Sequence, residues 1–335
     1  MKAWQIVSGT GIDALHLADV AATPPGAGEI RVRIRASAIN YRDYMTVKDP
    51  VSRKLPYPRV PNSDGAGDVI AVGPGVTAFK TGDRVASCFF RHWIDGPCSP
   101  EAMASALGGA LDGVLAEEVN LSADGAVHIP AHLTYAEAAT LPCAALTAWN
   151  ALVECARIKA GDTVLLLGTG GVSIFGLQFA RMHGARTIIT SSSDAKLERA
   201  RALGASVTIN YKSRPDWEAA VLEATDGRGV DATVEVGGAG TLPRSIAATR
   251  VAGTIPLIGV LTGGQIDPAS FMRKSIRMQG IYVGSRAMFR DMNRAIAQAA
   301  LKPVIDQRFA FADARSAYHA MAAANHFGKI VIDGT

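Results

Sequence analysis

Cysteine is scarce in this chain of 335 residues: Cys88, Cys98, Cys143 and Cys155 are all there are, and no two form a CxxC pair. That spacing excludes a zinc ribbon and a disulfide framework, and it suits a reduced, cytoplasmic compartment. Charge is thin as well, with 19% Asp, Glu, Lys and Arg against roughly 25% in an average soluble protein. No Lys/Arg-rich block runs along the chain, which argues against a nucleic-acid partner, while the formal +4 balance suits small anionic ligands. Long hydrophobic runs are missing. The most apolar, Val164-Leu-Leu-Leu167, is strand-sized, so no membrane span is expected. The opening Met1-Lys-Ala-Trp-Gln5 shows neither a signal peptide nor a transit pattern, and the chain contains no internal repeat or low-complexity tract.

The residues that are present fall into two regimes. From Met1 to about Val127 the segments are short, strand-like and heavily punctuated. Glu29-Ile-Arg-Val-Arg-Ile-Arg35 alternates polar and apolar residues, the period of a half-buried strand. Gly65–Gly75 reads as a strand between glycine turns, followed by a Gly82-Asp83 turn and the strand Arg84–Ser87. This series predicts small antiparallel strands in a compact, barrel-like unit. From about Thr134 onward strands and helices alternate. Thr163–Gly168 reads as a strand, Val172–His183 as a helix, Thr187–Thr190 as a strand and Asp194–Leu203 as a helix. Val207–Asn210, Val230–Val236, Thr254–Ile258 and Arg277–Val283 supply further strands. Continuous apolar strands between helices imply an α/β fold with a doubly wound parallel sheet. A helix over Phe289–Leu301, the segment Phe309–Phe311, a helix through Met321 and a strand Lys329–Ile332 complete the chain.

Between the first of these strands and its helix lies Gly168-Thr-Gly-Gly-Val-Ser173, the context that a dinucleotide fingerprint requires. Gly168 allows the tight turn and Gly170 lets the backbone approach a pyrophosphate. With Thr169, Gly171 and Val172 they form the candidate phosphate cradle, since the next helix offers free N–H groups and a partial positive charge. Ser173 stands where a third glycine would be and is small enough to keep helix and strand close. A plain strand-turn-helix without a ligand is the alternative, and the surrounding parallel-sheet pattern weighs against it. Cofactor choice is read at the end of the next strand, where a carboxylate would bond the ribose 2′-hydroxyl of NAD. Here Ser191 holds that place, and Ser192 and Lys196 can donate to a 2′-phosphate, so NADP is expected. Asp194 counts mildly against that reading but is also a good N-cap for the next helix.

With these residues the sequence resembles the medium-chain dehydrogenase/reductase family, in particular its zinc-free branch of quinone oxidoreductases and zinc-independent alcohol dehydrogenases. The likeness extends to Asn40-Tyr-Arg-Asp43, Pro61-Asn-Ser-Asp-Gly-Ala-Gly67, Leu146-Thr-Ala-Trp-Asn150, Ile209-Asn-Tyr211 and Gly328-Lys-Ile-Val-Ile332, in this order. It implies a GroES-like β-barrel catalytic domain built from residues 1–127 and 284–335, with a Rossmann domain, 128–283, inserted between them. It also implies a homodimer or homotetramer through the Rossmann sheet edge. Carried over by position, Thr147 would lie beside the nicotinamide, Tyr211 against the adenosine phosphate and Lys196 at the 2′-phosphate. Val236, Gly259 and Val283 would line the nicotinamide ribose and carboxamide. The alternative for each is an ordinary buried or strand-end residue, and it weighs more for the apolar lining residues than for Thr147 and Tyr211.

Metal-dependent members hold zinc with a Cys, a His-Glu pair and a later Cys. Here those positions read Asn40, Ser63-Asp64 and Cys143, a poor set for a four-coordinate site, and the closely spaced cysteines of a structural zinc lobe are missing. The enzyme is therefore expected to carry no metal, with hydrogen-bond donors stabilising the oxygen of a quinone or activated carbonyl. Asn40 is the leading donor candidate, Tyr44 (or Tyr41) a proton donor, and Asp64 (or Asp43) an orienting group, although both acids could simply pin loops. The loop Phe89–Ile94, with His92, Trp93 and Met103, is expected to shape the acceptor site. Two alternatives stay open: a zinc-free alcohol dehydrogenase or aldehyde reductase, for which Leu107-Gly-Gly-Ala-Leu-Asp-Gly113 speaks, and a cofactor-binding protein with little turnover.

Overall fold

A computed structural model describes residues 1–334 and divides the chain into two compact units, Met1–Leu146 with the residues from Val283 on, and Thr147–Tyr282. In the first unit the strands Ile305–Ala310, Lys329–Asp333, Glu29–Ile39, Asp64–Val72, Arg84–Ser87 and Ala126–His128 lie side by side in that order. Glu118–Ser122 also pairs with the long central strand Glu29–Ile39. All these pairs are antiparallel except the first, where Ile305–Ala310 runs parallel to Lys329–Asp333. The period-two pattern read over residues 29–35 serves one core: Ile30, Val32 and Ile34 pack with Val69, Phe79, Val85, Leu107 and Leu121. Farther along the same strand Ile39 joins a second core with Trp4, Leu15, Phe311, Tyr318, Ile330 and Ile332. Gly67 has to be glycine, since a Cβ there would lie 1.9 Å from the Arg33 carbonyl oxygen on the neighbouring strand.

The first unit runs on past the expected boundary at residue 127, to Leu146. The reason lies in local bonds. Ala126–His128 pairs with Arg84–Ser87, and the Tyr135 hydroxyl donates to Asp68. The Cys143 N–H donates to Asp64 at 3.0 Å. From Leu141 to Cys155 the backbone winds as π-helix on both sides of a single α-turn, Leu146–Trp149.

The second unit is a six-stranded, all-parallel sheet in the order Val207–Asn210, Arg186–Ser191, Thr163–Leu166, Val230–Val234, Thr249–Leu257, Arg277–Gly280. In chain order this is 3-2-1-4-5-6, the doubly wound arrangement that binds dinucleotides where the order reverses. The reversal falls beside Thr163–Leu166, the strand that feeds the glycine turn. The helix Gly171–Met182 closes onto that strand through Gly176, where a Cβ would sit 2.8 Å from Leu166 Cδ2. Near the start of the sheet Asp231 accepts from Thr163 N–H at 2.9 Å and from the guanidinium groups of Arg228 and Arg250 at 2.6 Å each. These hydrogen bonds hold its carboxyl well below the usual range despite partial burial. Among the described residues no helix is long and apolar enough to cross a membrane.

Candidate active site

The carboxyl ends of the parallel strands gather most of the expected cofactor residues of the second unit. Gly168 has φ +72°, the left-handed conformation that the tight turn demands, and its N–H donates to Thr190 Oγ1 at 3.2 Å. Gly170 caps the helix Gly171–Met182 in an extended conformation, and no side chain caps that helix. A Cβ on Gly168 or Gly170 would meet no atom within 4 Å, so this backbone faces open space. Uncapped N–H groups below such a space form a cradle for phosphate. Ser173, in place of a third glycine, donates to the Leu167 carbonyl at 2.6 Å and ties the helix start to the strand end. Gly176, one turn farther on, adds a second close approach of helix and strand.

At the end of the next strand Ser191 is buried and its hydroxyl accepts from Ser193 N–H at 3.3 Å. Ser192 and Lys196 are half-buried, and Tyr211, whose N–H donates to the Ser191 carbonyl at 3.0 Å, is 41% exposed. The cap of the next helix differs from expectation. Ser193 accepts from Lys196 N–H, while Asp194 is the first helical residue and accepts from Asn210 Nδ2 at 2.7 Å. The Asp194 carboxylate is thereby tied to the neighbouring strand end.

Val236 and Gly259 adjoin each other. A Cβ on Gly259 would fall 2.0 Å from the Val236 carbonyl carbon, so the neighbouring chain already requires glycine there. Beneath them is a residue that the sequence does not single out. Glu235 is fully buried and accepts from Gly237 N–H at 2.7 Å, Gly238 N–H at 3.0 Å, Thr241 Oγ1 at 2.6 Å and the Ser245 hydroxyl, bracing the loop after Val230–Val234. Its one signal is an acid followed by two glycines and by hydroxyls six and ten positions on. Thr147 is buried in this unit. Val283 belongs to the other unit, where it is buried at φ +58°, a rare conformation for a β-branched residue.

The first unit brings Asn40 and Asp64 together. Strand register does this: Asp64 pairs with Ala38, and Ile330 pairs with Ile39, which sets Lys329 next to Asn40. The buried Lys329 ammonium donates to the Ile39 carbonyl at 2.8 Å and to Asn40 Oδ1. Asp64 accepts from Ser63 Oγ at 2.6 Å and from Cys143 N–H at 3.0 Å. Burial pushes the Asp64 carboxyl up to about 6, with the Lys329 ammonium opposing and the Asp43 carboxylate adding to the rise. Asn40 lies near enough to help hold that carboxyl down, yet its Nδ2 is shut off from solvent and makes no hydrogen bond among the described residues. Asp43 takes the Asn40 N–H at 2.9 Å and pairs with Arg42 at 3.1 Å, so it does pin the start of the helix Tyr41–Lys48. Gly108 and Gly113 press on the chain two residues before Asp64: a Cβ on either would strike the Asn62 backbone, at 2.8 and 2.1 Å. The Leu107–Gly113 pattern is thus a packing device.

Tyr44, one turn into that helix, lays its ring against the core around Trp4 and Ile39, with the Lys48 ammonium 5.8 Å from the ring centre. The aromatic loop departs from its expected role. Phe89, Phe90 and Trp93 are buried in edge-on contact, 4.7 and 5.8 Å between ring centres, while His92 and Met103 are exposed. Three adjacent large rings gain more by packing on one another than by lining a wet pocket.

An all-parallel doubly wound sheet with an open glycine cradle at its carboxyl edge defines a dinucleotide-binding protein. Residues 171–298 match the family model for zinc-binding dehydrogenases, and residues 26–131 that for the alcohol dehydrogenase GroES-like domain. A zinc-type alcohol dehydrogenase-like protein of Schizosaccharomyces pombe is 43% identical over 91% of this chain and 90% of its own. A quinone oxidoreductase of Pseudomonas aeruginosa is 30% identical over 99% of each. Among solved structures, an NAD-dependent alcohol dehydrogenase superposes with a TM-score of 0.91 at 34% identity over 100% of both chains. A mycobacterial protein complexed with NADPH does so with a TM-score of 0.82 at 28% identity over 99% of both. The chain belongs to the medium-chain dehydrogenase/reductase family and is an NAD(P)-dependent oxidoreductase.

Two of these descriptions carry zinc in their names, and the residues here do not fit it. Asn40 presents its amide oxygen to an ammonium, which would repel a metal cation at the same place. Cys143 is the one thiol of the set, its N–H bonded to Asp64, and one thiol beside one carboxylate is a poor set for a four-coordinate site. Among the described residues no three His, Cys, Asp or Glu side chains gather as ligands.

Proposed function

We propose that this protein is a zinc-independent reductase that uses NADPH to reduce quinones or activated carbonyls. The observation that carries the reading is the donor cluster of the first unit, organised around an internal ammonium rather than a metal, and the open, uncapped glycine cradle of the second unit supports it. When bound, NADPH supplies a hydride. In this reading the N–H groups of Gly168–Val172 hold its pyrophosphate, and Ser191, Ser192 and Lys196 meet the 2′-phosphate. Tyr211 lies against the adenosine, and Thr147, Val236, Gly259 and Val283 serve the nicotinamide end. Asn40 Nδ2 donates to the acceptor's oxygen as negative charge develops there, the role that a metal would otherwise take. Tyr44 returns the proton, and Asp64 orients the donor cluster. Electron-poor acceptors need the least such help, which favours quinones and activated carbonyls over simple aldehydes.

A second reading, a zinc-free alcohol dehydrogenase or aldehyde reductase, draws on the names of the Schizosaccharomyces pombe relative and of the NAD-dependent structure. The two part in one assay: cofactor oxidation with a chelator present, NADPH and NADH in parallel, and phenanthrenequinone and octanal offered separately. Turnover of the quinone with NADPH is expected. Turnover of octanal alone gives the second reading. NADPH binding without either turnover leaves a cofactor-binding protein.

We also propose a homo-oligomer joined at the edge strand Arg277–Gly280. All four of its residues are exposed, and Val260, Leu261, Met272 and Tyr282 add exposed apolar surface in the same unit. An unpaired strand edge of this kind is a template for pairing with a second copy.

A further inference from the structure

Lys329 is 3% exposed, and although it lies in the Gly328–Ile332 motif, the sequence assigns it no role. A buried ammonium persists only where acceptors and countercharges surround it. Here the acceptors are the Ile39 carbonyl and Asn40 Oδ1, and the charged neighbours are the Asp64 and Asp43 carboxylates, with Arg42 paired to Asp43. An ammonium has no lone pair, so the atom it meets on Asn40 must be the amide oxygen. That one contact settles which way the amide points and leaves Nδ2 as its donor, buried on the side of the Asp64 carboxyl. Nδ2 is the member of the cluster left without a partner among the described residues. Leaving a buried donor unpaired is costly, and native chains carry few such groups without a reason.

We propose that Lys329 is the positioning residue of the reducing site, fixing the Asn40 amide with Nδ2 toward the acceptor's oxygen and standing behind it as the site's built-in cation. This rests on the reading of Asn40 as the oxygen's donor. As hydride arrives at the acceptor, its oxygen gains negative charge. The chain from Nζ–H through the amide to Nδ2–H polarises in the same direction, each bond strengthening the next. In a buried cluster the ammonium's field is screened far less than in water. The same charge counters Asp64, which would otherwise sit unbalanced beside the donor. Here the cation is part of the chain, and strand pairing delivers it.

The test uses the full-length protein, NADPH and phenanthrenequinone. Lys329→Met should lower kcat about 100-fold, the scale of losing one oxygen-stabilising donor. Its NADPH dissociation constant, read by cofactor fluorescence, should stay within about twofold of the original, a split that a loss of fold would not give. Asn40→Ala should lower kcat similarly, and the double variant should fall no further than Asn40→Ala alone, because Lys329 acts through that amide. Should Lys329→Met not fold, Asp64→Asn with Lys329→Met removes both charges and is read against Asp64→Asn alone, with the same loss expected. Lys329→Met turning over within about threefold of the original, or losses that multiply in the double variant, would overturn the proposal. Asn40→Ala at full kcat would instead sink the donor reading itself, whatever Lys329 does.

Discussion

A carboxyl held near 6 leaves a thermodynamic signature. Asp64 titrates at about 6 in the folded chain against an ordinary 3.8, so folding takes up a proton between those values. Its contribution is therefore greatest in acid and is lost as pH rises from about 4 to about 6. Replacing Asp64 by Asn removes that dependence. The stability of the variant relative to the original should climb by about 2 kcal/mol between about pH 4 and 7, measured by urea unfolding at each pH. A flat difference would deny the raised carboxyl. Asn40 and Asp64 are legible as a pair because their motifs stand out within the first 67 residues. Lys329 is not. At the start of an apolar strand a lysine reads as a solvent-facing end, and only the pairing of Ile330 with Ile39 turns it inward. Asp194 reads as a cap for a similar reason, since Asn210, which claims its carboxylate, arrives from another strand.

Among the elements, the glycine turn and the central barrel strand make opposite predictions for the same kind of change. Gly170→Val adds a side chain where no atom lies within 4 Å, in an extended conformation open to any residue. Its unfolding free energy should fall by about 1 kcal/mol or less, the cost of a poorer cap, while NADPH binding weakens at least about 100-fold in a fluorescence titration. Unchanged binding would remove the cradle from the cofactor site. Gly67→Ala drives a Cβ to 1.9 Å from the Arg33 carbonyl oxygen, so it should cost about 4 kcal/mol or more, the exceptional end for one substitution. Strands and helices are largely legible, because period-two and continuous apolar patterns are local signals. Val207–Asn210 and Arg84–Ser87 lie where the pattern puts them, and the helix read as Val172–His183 runs Gly171–Met182. The loop holding Phe89, Phe90 and Trp93 is not legible, since a row of aromatics reads the same whether it lines a pocket or packs on itself.

For the whole molecule, the exposed edge Arg277–Gly280 gives the proposed oligomer a direct test. Met278→Asp places charge on that edge and should convert an assembled species to a monomer in sedimentation velocity, with NADPH affinity unchanged. An original chain that sediments as a monomer would end the proposal. The unit boundary is the least legible feature at this scale. Composition shifts near Val127, but Tyr135 and Cys143 are claimed by Asp68 and Asp64 from far upstream. The split of the first unit around residues 147–282 also has a consequence in time. During synthesis the second unit emerges as one uninterrupted stretch and can fold as soon as Tyr282 clears the ribosome. The Ala36–Ile39 end of the strand Glu29–Ile39 must meanwhile wait, unpaired on one side, for the partner that carries Lys329. Newly made chains should thus pass through a stage in which the dinucleotide sheet is complete and the barrel is open, the stage at which a chaperone would find most to hold.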